Sequence, residues 1–294
     1  MPPSAPAAPP AAMLTPSPAF SPLSALLEGL PALPGGSPVA AFIGGGGKTS
    51  LLFALAKVVA ARGQRVISTT TTRIFPPTPE QTGQLLLTGT DGVLPLRALR
   101  AALARHGHAT LAAGSAPGGK LAGISPALIQ ELSQSSSHPA SQARLADIIL
   151  VEADGAARHP LKAPAAHEPA VPACAHLCVA VCGLDGIGLP LATAAHRPDI
   201  AAQLCACGTQ DMVTPAHLAH LVLHPEGLFR TCPPTAQRLA LCHKADIPGG
   251  AELAQAAAQA ARQLYPACDV PWWMGSAQEG WAKPLTPAQA AMPV

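Results

Sequence analysis

The stretch FIGGGGKTS, residues 42–50, runs four glycines into Lys48, Thr49 and Ser50. These residue types suit phosphate. Glycines let backbone N–H groups converge on phosphate oxygens, and a lysine adds a point charge at the outer phosphates. The following hydroxyl ligates Mg²⁺, and a helix N-terminus contributes its dipole. Gly44, Gly45, Gly46 and Gly47 supply the turn, Lys48 the charge and Thr49 the metal-side hydroxyl, with Ser50 beside it. The spacing departs from G-x-x-x-x-G-K-[ST], because Phe42 stands where the first glycine belongs. What remains is the shorter G-x-x-G-K-T, formed by Gly44, Gly47, Lys48 and Thr49. The competing reading is a glycine-rich turn that binds nothing.

A nucleotide site of this kind needs a metal-side carboxylate at the end of a neighbouring buried strand. IILVEADG offers Glu152 and Asp154, two apart, which share a face if the strand continues. One of them would hold Mg²⁺ with Thr49 and the other would position a nucleophile. STTTTR, residues 68–73, puts hydroxyls on both faces of a strand. If that strand neighbours the glycine-loop strand, Thr71 and Thr72 reach the γ-phosphate or metal, and Arg73 stabilises developing negative charge; strand propensity alone is the alternative. LKAPAAHEP is extended or turning, since proline excludes a helix. It leaves the sheet beside the acidic motif, so Lys162 is a candidate contact for an anionic substrate. His167 and Glu168 are candidate acid–base groups or ligands.

Other clusters carry less. Cys174, Cys178 and Cys182 recur every four residues, and Cys205 and Cys207 form C-x-C, but no C-x-x-C pair exists. Structural thiols are the expectation, with Cys182 the sharper candidate for sulfur or selenium handling. His217, His220 and His224 share one helical face, without a carboxylate or cysteine at ligand spacing.

These residues need elements to hold them. Apolar runs bounded by Pro and Gly predict strands over 38–44, 64–72, 84–89, 146–155, 177–183, 238–246 and 268–273, with weaker ones over 109–114 and 120–125. Helical spacing predicts helices over 48–63, 95–107, 125–134, 214–224 and 250–265, and a short one over 22–30. Ser125 is the N-cap before Pro126. Strand, glycine turn, helix, strand is a βαβ unit. The expected fold is therefore α/β: a P-loop NTPase-like, mainly parallel sheet flanked by helices. Residues 1–21 are a Pro/Ala/Ser-rich leader expected to be disordered. Residues 22–165 form the nucleotide-binding core, and 166–294 continue the same domain with a substrate or partner surface.

The totals set limits. The 294 residues are 49% hydrophobic and 12% charged with net charge +2, so no basic stripe marks a nucleic-acid binder. No apolar run is long enough for a membrane span, and no signal peptide is evident. The expectation is a cytoplasmic protein with reduced thiols.

IGGGGKTSLLFALA, VISTTTTRIFPP, VEADGAARHPLKAPAAHEPAVP, GLDGIGLPL, AHRPDI, HPEGL and HKADIP occur in that order. In this they resemble the YqeC-like family, accessory proteins of selenium-dependent molybdenum hydroxylases. The likeness runs from about residue 22 to the C-terminus, and EADGAxxxPLKAPAxHEP is its most specific part. It implies a cytoplasmic Mg-NTP-binding P-loop protein, using ATP or GTP, that acts in maturation of such a hydroxylase or its cofactor. The hydroxylase or its maturation factors would be the partners. Family members commonly read Asn-Lys-x-Asp late in the chain, like the guanine-reading motif of GTPases. Here the residues are His243, Lys244, Ala245 and Asp246. Asp246 remains to read a base, while His243 stands in place of the bracing Asn, so base preference is open. The short loop spacing also resembles that of Mur ligase-type synthetases. Three activities follow: an NTP hydrolase, an ATP-dependent ligase or kinase on a small molecule or pterin, and a non-hydrolysing nucleotide-dependent switch or cofactor chaperone.

Overall fold

The computed structural model describes residues 21–89, 92–136 and 143–285. The expected leader lies outside these residues except for Ser21, which pairs with Ala282. In chain order the main elements are β1 (Val39–Gly44), α1 (Lys48–Ala61), β2 (Val66–Thr70), α2 (Leu96–His106), β3 (His108–Ala112), α3 (Pro126–Gln134) and β4 (Ile148–Glu152). There follow β5 (Leu177–Gly183), α4 (Pro198–Cys205), α5 (Pro215–Leu223), β6 (Gln237–His243), α6 (Gly250–Leu264), β7 (Trp272–Ser276) and β8 (Trp281–Pro284).

One sheet organises the chain. Its ten strands run Ser21–Pro22, β8, β7, β6, β5, β1, β4, β2, β3 and Leu85–Leu87. From β7 to Leu85–Leu87 all neighbours are parallel, and only the β8 edge is antiparallel. The loop strand β1 lies in the interior, between β4 from the first half of the chain and β5 from the second. Both faces of the sheet are covered, which is why β1, β4 and β5 are apolar at nearly every position rather than alternating. Val39, Ala41 and Ile43 of β1 face a core shared with α2, α3, α4, α5 and α6. Ala40 and Phe42 face Leu51, Leu52 and Leu55 of α1 and the 3₁₀ turn Leu23–Leu27 on the other side.

Local signals explain several ends. The Ser125 hydroxyl accepts from the Leu128 N–H at the start of α3, with Pro126 at its first position. Gly107, with φ of 69°, closes α2.

Three outcomes differ from the sequence expectation. First, β1 and β2 are parallel but not adjacent, because β4 lies between them. Second, β4 ends at Glu152, so Asp154 is past the strand and does not share a face with it. Third, α4 and β8 were not anticipated. Pro198 at the first turn of α4 and the short apolar content of β8 hide both from a periodicity search.

Candidate functional site

The glycines at the end of β1 are packed from behind. Gly46 has φ of 73°, and a β-carbon there would come within 2.2 Å of the Gly183 nitrogen at the end of β5. Gly47, with φ of 103°, caps α1 in the left-handed region. The Gly44 N–H donates to Asp154 Oδ2 at 3.1 Å, the Gly45 N–H to the Val181 carbonyl at 2.9 Å, and the Gly46 N–H to the His159 carbonyl at 3.0 Å. These three amides therefore hold the loop to its neighbours. The first helical bond of α1 is Leu51 N–H to the Gly47 carbonyl. Among the described residues, the N–H groups of Gly47, Lys48, Thr49 and Ser50 have no partner. They mark the anion-binding end of α1.

In front of these amides is a cavity of about 550 Å³. Lys48, Thr49, Glu152, Arg73 and Lys244 are among its lining residues. The Thr49 hydroxyl donates to Glu152 Oε2 at 2.6 Å. Burial pushes the Glu152 carboxyl up, against the pull of Lys48 and the Thr49 hydrogen bond. A buried carboxylate so placed favours a nearby cation. Hydroxyl and carboxylate oxygens are the hard donors that Mg²⁺ takes, so the residues present fit that ion.

Behind the loop runs a chain of buried charges. Lys48 pairs with Asp154 Oδ1 at 3.1 Å and also donates to the Gly44 carbonyl. Lys162 Nζ reaches Asp154 Oδ2 at 3.4 Å, Glu168 Oε2 at 3.0 Å and the Gly155 carbonyl at 2.5 Å. Arg197 forks onto both oxygens of Glu168, at 2.5 and 3.0 Å. Burial opposes the Glu168 charge, but Lys162, Arg197 and the Ala165 amide together hold its pKa down to about 2. Asp154 and Lys162 are fully buried and do not line the cavity.

A second cavity, also about 550 Å³, adjoins the first through Gly47, Ser50 and Lys244. Asp246, Asp185 and Ser276–Gln278 line it. His243 braces this junction. Its Nδ1 donates to the Gly46 carbonyl at 2.6 Å, and its Nε2 accepts from the Ala277 N–H at 3.1 Å. Those partners require the neutral ring protonated on Nδ1, and burial lowers the pKa accordingly. The histidine thus ties the glycine loop to the 276–278 loop. Lys244, at φ of 62°, pairs with Asp185 at 2.5 Å.

The remaining candidates are placed elsewhere. Thr71 and Thr72 do not line the cavity; the Thr71 hydroxyl donates to the Ala170 carbonyl at 2.9 Å, and that of Thr72 lies 3.2 Å from Thr70 Oγ1. Ser68 meets His108 Nε2 at 2.8 Å, and Thr69 and Thr70 donate to the carbonyls of Leu111 and Glu152. The hydroxyl-rich strand is thereby satisfied inside the protein. His167 has an 81% exposed side chain and lies outside both linings.

The eight cysteines are free thiols, and burial pushes Cys182 and Cys205 up to about 12, away from nucleophilic thiolate. The two histidines on α5 and His224 at its C-cap serve locally. His217 Nδ1 accepts from the Thr214 N–H, His220 Nδ1 meets the Tyr265 hydroxyl, and His224 Nδ1 accepts from the Glu226 N–H. No cluster of metal ligands occurs among the described residues, and no described helix is long and apolar enough to cross a membrane.

Sequence reasoning missed Phe75, Lys120 and Arg158, which also line the first cavity. Arg158 follows Ala157 in the left-handed region, at φ of 68° and 46°, and no residue type there signals it. The bracing role of His243 was missed too, because nothing in the sequence places Gly46 and Ala277 on either side of its ring.

The loop, the acidic motif, Lys162 and Arg197 all fall within residues 40–199, which match the YqeC protein family. The chain is also 34% identical to the "Uncharacterized protein YqeC" of Escherichia coli (strain K12) over 202 residues, 68% of this chain and 73% of the relative. Given the extent of both matches, the chain belongs to the YqeC family.

Proposed function

We propose that the protein binds a magnesium nucleoside triphosphate across the two adjoining cavities. One observation carries this: four unpartnered amides at the start of α1, with Lys48 beside them, open into a cavity whose wall also holds the Thr49–Glu152 pair. The amides and Lys48 take the β- and γ-phosphates. Thr49 and Glu152 hold Mg²⁺, which neutralises phosphate charge there. Asp154 is not a ligand in this reading; it holds Lys48 from behind. The base enters the second cavity, where exposed Asp246 can accept from a guanine edge and the loop bearing Ser276–Gln278 closes the opposite wall. With His243 bracing as an asparagine would, the preference is GTP over ATP.

In turnover the Glu152 carboxylate, beside the phosphates and the ion, would orient the attacking hydroxyl or water. A role in maturing a selenium-dependent molybdenum hydroxylase is part of this proposal and rests on family likeness alone.

Titration calorimetry with Mg-GTP and Mg-ATP on the wild type and Lys48→Ala tests it. GTP binding that the variant loses by about tenfold or more is expected, from the value of a charge-assisted hydrogen bond. Folded wild type that binds neither nucleotide sinks the reading.

A further inference from the structure

The first cavity holds more positive charge than a nucleotide needs. Five cations line it, Lys48, Arg73, Lys120, Arg158 and Lys244, against one carboxylate, Glu152. Lys48 is paired with Asp154 and Lys244 with Asp185. The side chains of Arg73, Lys120 and Arg158 have no ion pair or hydrogen bond among the described residues.

These three are held together by structure rather than scattered. Arg73 and Lys120 come from a small antiparallel sheet in which Arg73 pairs with Ala122 and Ile74 with Leu121. Phe75, 44% exposed, follows directly. The Lys120 ammonium lies 5.1 Å from its ring centre and the Arg158 guanidinium 4.9 Å. Cation–π contact with a shared ring fixes two like charges side by side. Arg158 reaches the ring from a backbone with two successive left-handed non-glycine residues. Such a backbone survives where surrounding structure enforces it, which concentrates such residues at ligand sites.

We propose that Arg73, together with Lys120 and Arg158 organised on Phe75, binds a second substrate in the same cavity as the nucleotide, a small molecule carrying a phosphate monoester. The nucleotide's own charge is met by the helix N-terminus, Lys48 and the magnesium ion, which leaves three cations over. A phosphate monoester, of charge about −1.5 to −2 with three acceptor oxygens, matches three converging donors. The inference rests on the preceding reading for the nucleotide alone; the anion site stands on its own residues. It favours a two-substrate transferase or ligase over a hydrolytic switch.

The test titrates phenyl phosphate, and separately inorganic phosphate, with and without saturating Mg-GMPPNP. The proteins are the wild type, Lys48→Ala and the double variant K120Q/R158Q. Both altered residues of the double variant are solvent-accessible, so its fold is retained. Phenyl phosphate should bind with the nucleotide analogue present, about tenfold or more weakly in K120Q/R158Q, and unchanged in Lys48→Ala. Phenyl phosphate binding that K120Q/R158Q leaves intact overturns the proposal. So does a comparable loss of Mg-GMPPNP affinity in that variant, which would assign these cations to the nucleotide. Binding of inorganic phosphate but not phenyl phosphate also overturns it, as a site for released product. Failure of Mg-GMPPNP to bind any of the proteins, with phenyl phosphate still lost in K120Q/R158Q, removes the nucleotide reading and leaves this site standing.

Discussion

Two charged regions meet at the glycine loop and differ in kind. Behind it, Lys48, Asp154, Lys162, Glu168 and Arg197 alternate in sign, and every charge has an opposite neighbour within 3.4 Å. In front, Arg73, Lys120 and Arg158 share one sign around an exposed ring. Burial explains the contrast. A charge removed from water must be paired, or it costs several kcal/mol, whereas charges at an open cavity keep their hydration and can wait for a ligand. The rear region holds the loop in shape, and the front region is the one proposed to bind.

Removing a charge behind the loop should break this contrast most visibly. Asp154→Ala leaves Lys48 and the Gly44 N–H without their partner and weakens the hold on Lys162. An unfolding free energy lower by about 3–5 kcal/mol is expected by denaturant titration. Asp154→Asn, which still accepts from Gly44, should lose less. A surface-like loss below about 0.5 kcal/mol for Asp154→Ala would deny the rear region its structural role.

Acid should sharpen the comparison next. Burial lowers the His108 pKa to about 4, and His243 shifts in the same direction. The unfolded chain takes up these protons near the ordinary histidine value of about 6.5, before the folded protein does. Stability is therefore full above about 6.5 and falls as pH drops towards 4, by on the order of 3 kcal/mol from His108. Glu168, held down to about 2, adds its own loss only as the pH falls through the ordinary glutamate value of about 4.5, at the foot of that window, and goes on adding to it down to about 2. Melting curves across pH should show the decline, and His108→Gln should flatten it.

His243→Ala is a smaller break. It orphans the Gly46 carbonyl and the Ala277 N–H, a cost of about 1–3 kcal/mol. Because His243 joins the glycine loop to the second cavity, proposed to take the base, nucleotide affinity should fall along with thermal stability. His243→Asn should recover part of both. The smallest effect belongs to His167, exposed and outside both cavities. His167→Ala should change stability by less than about 0.5 kcal/mol, with nucleotide affinity intact in the same calorimetric assay.

Much of this was legible in the residues. The strand–glycine–helix juncture, the buried strand over 177–183, the Ser125 cap and the acidic strand end at Glu152 are set by neighbours in sequence. Propensity, capping and apolar run length act over a few residues and can be read there. The order of motifs was enough to point to the family.

The tertiary structure decided the rest, because it depends on segments far apart in the chain. The insertion of β4 between β1 and β2 directed Thr70 towards the Glu152 carbonyl and kept the threonines from the loop. The Gly44–Asp154 hydrogen bond spans 110 residues. That bond, with the docking of Gly45 and Gly46 against Val181 and His159, left only the amides from Gly47 onward to face the cavity. Lys162, a substrate candidate by sequence position, was buried between two carboxylates. Arg158 and Lys120 acquired a common purpose only when the fold brought both to one phenylalanine. Local sequence selects which elements form, and long-range packing selects which of their polar groups are consumed inside the protein and which remain for a ligand.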